Sequence, residues 1–262
     1  MDIVQCAQGS QTWFQARCGK VTASEVGNVM AFLKKGEKKG GDTAARLAYK
    51  YKLIAEILTG TPDMDGYMSD CMRDGNEYEP IARAAYEYRN DVSVDQVGFI
   101  IHPTIKRFGC SPDGLIAPNG GLEIKSPKTK THIGYMLAGT LPPDYEPQVM
   151  TNIACAAADW WDFTSYGIRM QNRYQLLTVR VYRDDKRIAE IEQGVLSFWQ
   201  EVDDLLGEIR RLYPPLPDEP AVYCMPVMLL STSLLDETAD DAADPNPYGD
   251  LGILESDIPN FA

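Results

Sequence analysis

Two short apolar stretches, Phe108 to Ala117 and Gly121 to Lys125, carry charged side chains that buried strands have no ordinary reason to hold. They contain Ser111-Pro112-Asp113-Gly114-Leu115 and Leu122-Glu123-Ile124-Lys125. Their β-branched content and the turn signal at Gly120-Gly121 predict adjacent strands joined at that glycine pair. Glu123 and Lys125 are two residues apart, so on a strand they face the same side. Asp113 ends the preceding strand, where a hairpin brings its carboxylate beside Glu123. A surface hairpin with a Glu123–Lys125 salt bridge is the plain alternative. The apolar neighbours Leu115, Ile116, Leu122 and Ile124 count against it, because burying three charges without a task is expensive. Two carboxylates at one spot repel each other unless a hard divalent cation lies between them. A lysine beside that cation can orient or deprotonate a water, desolvation and the ion both lowering its pKa. Metal, water and lysine together suit hydrolysis of a phosphodiester.

Around this hairpin the chain alternates between helix and strand patterns. Ser10 is a candidate N-cap for a short helix with Trp13, Phe14 and Arg17, and Thr22-Ala23-Ser24-Glu25 matches a capping box leading to a helix that ends near Ala31. Lys34 to Asp42 is expected to be a mobile basic loop that could meet a DNA backbone. Thr43 to Leu58 has helical spacing, with Leu47, Tyr51, Ile54 and Leu58 on one face and Gly60 as the stop. A second long helix is expected over Ser69 to Arg89, with Tyr78, Ile81, Ala82, Ala85 and Tyr86 inward. Val92 to Ile101 reads as a strand that joins the two hairpin stretches in a meander or curved sheet. Pro147 to Trp161 suggests a buried helix, Phe163 to Met170 and Leu176 to Arg183 two further strands, and Asp185 to Leu212 a long closing helix.

The chain has 262 residues and a net charge of −13, at first sight unfavourable for a polyanionic partner. The charge is unevenly spread. Residues 214–262 contain ten acids and no Lys or Arg, which leaves 25 basic against 28 acidic side chains in residues 1–213, a net of −3. A local basic groove is compatible with that balance. The organisation expected is therefore one domain over 1–213 and a Pro-rich acidic appendage or tail over 214–262. The six cysteines show no C-x-x-C pair, which favours buried thiols over a zinc or iron–sulfur site. His102 and His132 are expected to be structural, since magnesium prefers oxygen ligands. No apolar run approaches the roughly 20 residues that span a bilayer, and Met1 to Ser10 does not read as a signal peptide, so a cytoplasmic location is expected.

Taken together, the motifs resemble a known family. Ser111-Pro112-Asp113-Gly114-Leu115 followed by Leu122-Glu123-Ile124-Lys125 is similar to the PD-(D/E)XK nuclease motif, and more narrowly to the phage lambda exonuclease and YqaJ recombinase nucleases. Trp13-x3-Arg17 with Val21-Thr22-Ala23-Ser24 resembles that family's N-terminal motif. The run Gly75 to Arg83 resembles its G-x-x-x-E-x-x-A-R helix, and Tyr145-Glu146-Pro147-Gln148-Val149 its Y-x-x-Q-V/I segment. The resemblance covers about residues 10–170 and not the tail. It implies an α/β fold with a restriction-endonuclease-like core, a central mixed β-sheet flanked by helices.

The resemblance also implies roles. Asp113 would be shared by two Mg2+ ions (Mn2+ a substitute), Glu123 and the Ile124 backbone carbonyl would complete the first site, and Glu79 would add a further ligand directly or through water. Lys125 would activate the attacking water. Gln148 would orient the lysine or the water, with Tyr145 in support. Arg17 and Ser24 would form a pocket for the 5′ phosphate of the degraded strand. From the residues alone, Glu79 reads as an i,i+4 partner of Arg83, Arg17 as a surface ion pair, and Gln148 as a helix-start hydrogen bond. The implied activity is 5′→3′ digestion of one strand of linear double-stranded DNA, leaving 3′ single-stranded tails for a strand-annealing recombinase. A homotrimeric ring is the implied assembly. A structure- or site-selective endonuclease, or an inactive DNA-end binding module, remain the alternatives. The closing residues Ile253 to Ala262 resemble the acidic tail of single-stranded-DNA-binding proteins and suggest a docking segment, against the plainer reading of a solvated tail.

Overall fold

A computed structural model describes residues 1–34, 39–63 and 70–214, over 70–76 as backbone only. The chain begins with β1 (Asp2–Val4) and α1 (Gln11–Arg17), whose N-cap Ser10 accepts the Trp13 N–H. It continues through β2 (Val21–Thr22), a 3-10 turn over Ala23–Glu25, and the short α2 (Val26–Val29). Next come α3 (Ala44–Thr59), α4 (Asp70–Asn90), β3 (Phe99–Ile101), β4 (Phe108–Cys110), β5 (Gly114–Ile116) and β6 (Gly120–Lys125). The rest is α5 (Thr129–Ala138), a 3-10 turn at Pro143–Tyr145, α6 (Glu146–Ala156), β7 (Trp160–Tyr166), α7 (Asn172–Gln175), β8 (Leu176–Tyr182) and α8 (Asp185–Leu212).

The strands form two mixed four-stranded sheets, in the orders β1-β3-β4-β2 and β5-β6-β7-β8. In the second, β6 lies antiparallel to β5 and parallel to β7, so the strand bearing Glu123 and Lys125 is internal. Helix α6 is buried along most of its length and packs on β4 of one sheet and on β6 and β7 of the other. Helix α8 closes the core with Ile188, Ile191, Val195, Phe198, Trp199, Val202 and Leu206, a three- and four-residue spacing that makes one apolar stripe. Ile100, Phe108, Ile153 and Trp161 meet that stripe in the main cluster. The fold is thus α/β, with the helices flanking mixed sheets. No described helix is long and apolar enough to cross a membrane.

Several elements depart from the sequence-based expectation for identifiable reasons. Gly120 and Gly121 are strand residues, and the turn is Ala117 to Asn119, with a cis Ala117–Pro118 peptide. A Cβ on Gly120 would fall 2.1 Å from the Trp160 ring, and one on Gly121 2.2 Å from that of Trp161. The pair makes room for two indoles, not for a reversal. The expected strand Phe108 to Ala117 is two strands in different sheets, with Ser111-Pro112-Asp113 crossing between them. Of Val92 to Ile101 only Phe99–Ile101 is regular strand. Helix α6 stops at Ala156, with Ala157 at φ 51, and β7 starts at Trp160 instead of Phe163.

Helix α3 lies where expected and stops at Gly60, which is in the left-handed region, with Thr43 as N-cap, but it turns a different face inward. Leu47, Tyr51 and Leu58 are exposed, and Arg46, Tyr49, Lys50, Leu53, Ile54 and Glu56 are buried. Arg46 and Lys50 reach Glu201 of α8, with the Arg46 guanidinium 5.0 Å from the Phe198 ring, so charges occupy the inner face. In α4 likewise Ile81 is exposed, whereas Ala82 and Tyr86 are buried. No capping box forms at Thr22: its hydroxyl lies 3.3 Å from that of Ser24 and caps nothing. Strand β1 and helix α5 carry no sequence signal that was recognised. Lys35–Lys38 of the basic loop and everything from residue 215, including the expected tail, lie outside the described residues.

Candidate active site

The β5–β6 register pairs Gly114 with Leu122, which sets Asp113 across from Glu123 at the mouth of the hairpin. Asp113 Oδ2 accepts the Ile124 backbone N–H at 2.5 Å. Glu123 is 1% exposed, and Lys125, on the same face of β6, donates to its Oε1 at 2.6 Å. From α6, Gln148 Nε2 donates to that same oxygen at 2.5 Å, and Asn152 Nδ2 donates to Oε2 at 2.9 Å. The sequence therefore brings Asp113, Glu123, Lys125, Ile124 and Gln148 to one spot.

Glu79 approaches from α4. Its carboxylate holds Arg83 one turn on, the i,i+4 pair expected from the residues alone. Burial raises its pKa, Arg83 lowers it, and the charge of Glu123 raises it again, so Glu79 lies within the field of the site. The helix is fixed to the sheet two turns further on, where the Tyr86 hydroxyl donates to Asp162 of β7 at 2.7 Å. Asp162 in turn accepts two hydrogen bonds from Arg180 of β8, each at 2.8 Å.

The electrostatics are those of an overloaded acidic site. Burial, then Glu123, then Glu79 push the Asp113 carboxyl well above the usual carboxylate range, and Lys125 and the Ile124 amide only partly oppose this. Burial pushes the Lys125 ammonium down, but Glu123 and Asp113 outweigh it and leave the pKa above its ordinary value. The expected lowering by desolvation is present, but the two carboxylates outweigh it and favour the protonated lysine. The donor set fits a hard divalent ion, since all three acids and the peptide carbonyls offer oxygen and the negative charge exceeds what Lys125 balances. Among the described residues no three carboxylate, imidazole or thiolate groups converge tightly enough to form a finished cage. Asp113 and Glu123 supply the pair, and Glu79 stands off on Arg83.

Tyr145, at the end of the 3-10 turn before α6, sets its ring 5.4 Å from Lys125 Nζ and tilts on Phe163 at 5.1 Å. It also meets the Tyr135 ring of α5 edge-on at 6.4 Å, and burial, then the neighbouring Tyr145, raise the Tyr135 pKa to about 12. On the other side of Asp113, Arg17 Nη1 donates to Ser111 Oγ at 3.1 Å, Trp13 Nε1 reaches the same oxygen at 2.8 Å, and the guanidinium lies 4.3 Å from the Trp13 ring centroid. Arg17 is thus two residues from Asp113 through Ser111. Ser24 is exposed, and its hydroxyl lies 3.3 Å from that of Thr22.

Sequence reasoning missed Ser111, Asn152 and Tyr135 as members of this neighbourhood. Asn152 had a signal, being four residues after Gln148 and hence on the same helical face. The histidines are structural as expected: His102 meets Glu192 at 3.0 Å and the Ile105 amide, and buried His132 meets Ser165 and the Tyr174 carbonyl.

The model of the YqaJ-like viral recombinase domain matches residues 12–159. An alkaline exonuclease from Laribacter hongkongensis (LHK-Exo), solved alone and in complex with dAMP, is 40% identical, with a TM-score of 0.70 over 78% of this chain and 97% of that one. A phage-related exonuclease from Haemophilus somnus shares the fold, at 15% identity and a TM-score of 0.54, over 72% of this chain and 96% of the other. An uncharacterized protein of Acanthamoeba polyphaga mimivirus is 26% identical over 174 residues. The match takes in 62% of this chain and spans only 29% of the viral protein's length.

Proposed function

This chain belongs to the YqaJ-like viral recombinase domain family and has the PD-(D/E)XK nuclease fold, and from that premise we propose that it is a magnesium-dependent DNA exonuclease. It removes nucleotides from the 5′ end of one strand of linear duplex DNA and leaves a 3′ single-stranded tail. The observation that carries the reading is the meeting of Lys125 and Gln148 on one oxygen of Glu123, with Asp113 facing it across the hairpin. Acid, lysine and amide on one buried carboxylate are more than a salt bridge requires.

Two Mg2+ ions, held by Asp113 and Glu123 with the Ile124 carbonyl and Glu79 completing the ligand set, would supply an activated water and screen the leaving 3′ oxygen. Lys125 would orient that water, and once metal charge offsets the two carboxylates that hold its proton, the neutral amine could take the proton the water loses. Gln148 keeps Glu123 in place. Arg17, tied to Ser111 and cushioned on Trp13, receives the terminal 5′ phosphate together with the Ser24 hydroxyl. Tyr145 lines the path beside the lysine. A trimeric ring around the duplex, a single-strand annealing recombinase as partner, and a cytoplasmic setting complete the proposal.

The test is digestion in Mg2+ of linear duplex with 5′-phosphate ends, the same duplex with 5′-hydroxyl ends, and covalently closed circles. The reading requires fast, slower and no digestion respectively. Equal cutting of closed circles would favour the endonuclease alternative.

A further inference from the structure

Asn152 is fully buried in the middle of α6 and touches the site through one atom. Its Nδ2 donates to Glu123 Oε2 at 2.9 Å, while its Oδ1, also buried, meets no hydrogen-bond partner among the described residues. The orientation of the amide follows from chemistry: turned the other way, Oδ1 would face a carboxylate oxygen. The side chain thus forgoes an acceptor bond in a dry environment, where polar groups are normally satisfied, and spends its one contact on Glu123. Gln148, one helical turn earlier, holds the other oxygen of the same group. A packing role alone calls for an apolar side chain here, among Val149, Ile153 and Cys155.

We propose that Asn152 is a positioning residue: with Gln148 it forms a two-amide clamp that fixes the plane of the Glu123 carboxylate and so sets the affinity of the site for divalent cations. The inference rests on the metal-site reading above. One oxygen of Glu123 is shared by Gln148 and Lys125, so Oε2 is the oxygen less burdened by protein donors, and Asn152 is what orients it. Groups that orient metal ligands through a hydrogen bond typically change metal affinity by roughly 10–100-fold when removed.

The experiment is calorimetric titration of Mn2+ into the full-length, DNA-free protein and into Asn152→Leu and Asn152→Ala. Leucine preserves the branching of the side chain and alanine avoids steric conflict, and far-UV spectra and melting in EDTA establish that each is folded. The expected result is a Mn2+ dissociation constant at least about tenfold weaker in the folded variants. The Mg2+ concentration for half-maximal nuclease rate should rise in parallel, with most of the rate recovered at saturating Mg2+. A dissociation constant within twofold of wild type, or a lower maximal rate at an unmoved Mg2+ requirement, would overturn the inference and leave Asn152 a packing residue. Variants that do not fold even in saturating Mn2+ would equally assign it to packing. If the wild-type protein itself took up no Mn2+, the failure would lie with the metal reading and not with Asn152 alone.

Discussion

Asp113 and Ile124 are joined across the hairpin by a hydrogen bond from the Ile124 N–H to Asp113 Oδ2 at 2.5 Å, which anchors one carboxylate on the very strand that carries the other. Burial first, and then the charges of Glu123 and Glu79, raise the Asp113 pKa there. A carboxyl whose folded pKa lies above its unfolded value of about 3.9 is penalised once ionised: stability falls as pH rises through that unfolded value toward the folded one. Asp113→Asn keeps an acceptor for Ile124 and cannot ionise. In EDTA at pH 8 it should therefore melt above wild type, by ~1–2 kcal/mol or roughly 2–8 °C for a domain of this size, and in Mg2+ its DNA hydrolysis should fall to background. A lower melting temperature with activity retained would show that Asp113 is structural.

Arg17 meets the neighbourhood of Asp113 through the Ser111 hydroxyl, a geometry suited to a phosphate next to the cutting site. Hydrogen bonds to charged groups contribute roughly 1.5–3 kcal/mol. Arg17→Ala should accordingly reduce the rate ratio of 5′-phosphorylated over 5′-hydroxyl ends by about 10–100-fold, chiefly by slowing the former. An unchanged ratio in initial-rate measurements would remove Arg17 from phosphate recognition.

Glu201 shows how stability and pH connect far from the site. Hydrogen bonds from Arg46, opposed by burial and reinforced by Lys50, hold its carboxyl down to about 2. Its folded pKa lies below the unfolded value of about 4.3, so its contribution is present above pH 4.3 and lost as pH falls toward 2. The side chain is 39% exposed, and solvent screening limits the effect to ~1 kcal/mol. Glu201→Gln should lower the denaturant midpoint at pH 7, and its difference from wild type should shrink between pH 4.3 and pH 3. A constant difference over that range would mean that the ion cluster does not titrate as described.

The indole rings on β7, directly beside Gly120 and Gly121 of β6, give a packing test. A methyl group on Gly121 would sit 2.2 Å from Trp161, whose ring is fully buried. Gly121→Ala should cost ~1–3 kcal/mol by overpacking and lower the melting temperature by several degrees. An unaffected melt would show that Trp161 can move aside.

How far the sequence discloses this molecule depends on which physics sets each feature. The N-cap at Ser10, the stop at Gly60 and the extent of α8 are local, and were legible. So was the approach of Asp113 to Glu123, because strand alternation and a short connection leave little freedom. The inward face of α3 was not, since Arg46 and Lys50 are buried only through Glu201, about 150 residues away. The division of Phe108 to Ala117 between two sheets, and the strand role of Gly120-Gly121, likewise depend on distant partners, the latter on Trp160 and Trp161. In the site, Gln148 was identified by resemblance, whereas Asn152 needed the helix to be built before its side chain could be placed on Glu123.

The most direct measurement is anomalous diffraction from crystals of the protein soaked in Mn2+. An anomalous peak between the carboxylates of Asp113 and Glu123, with ligand oxygens at about 2.0–2.3 Å, is the predicted result. Manganese bound elsewhere, or nowhere, with Lys125 still closed on Glu123, would contradict the account at its centre.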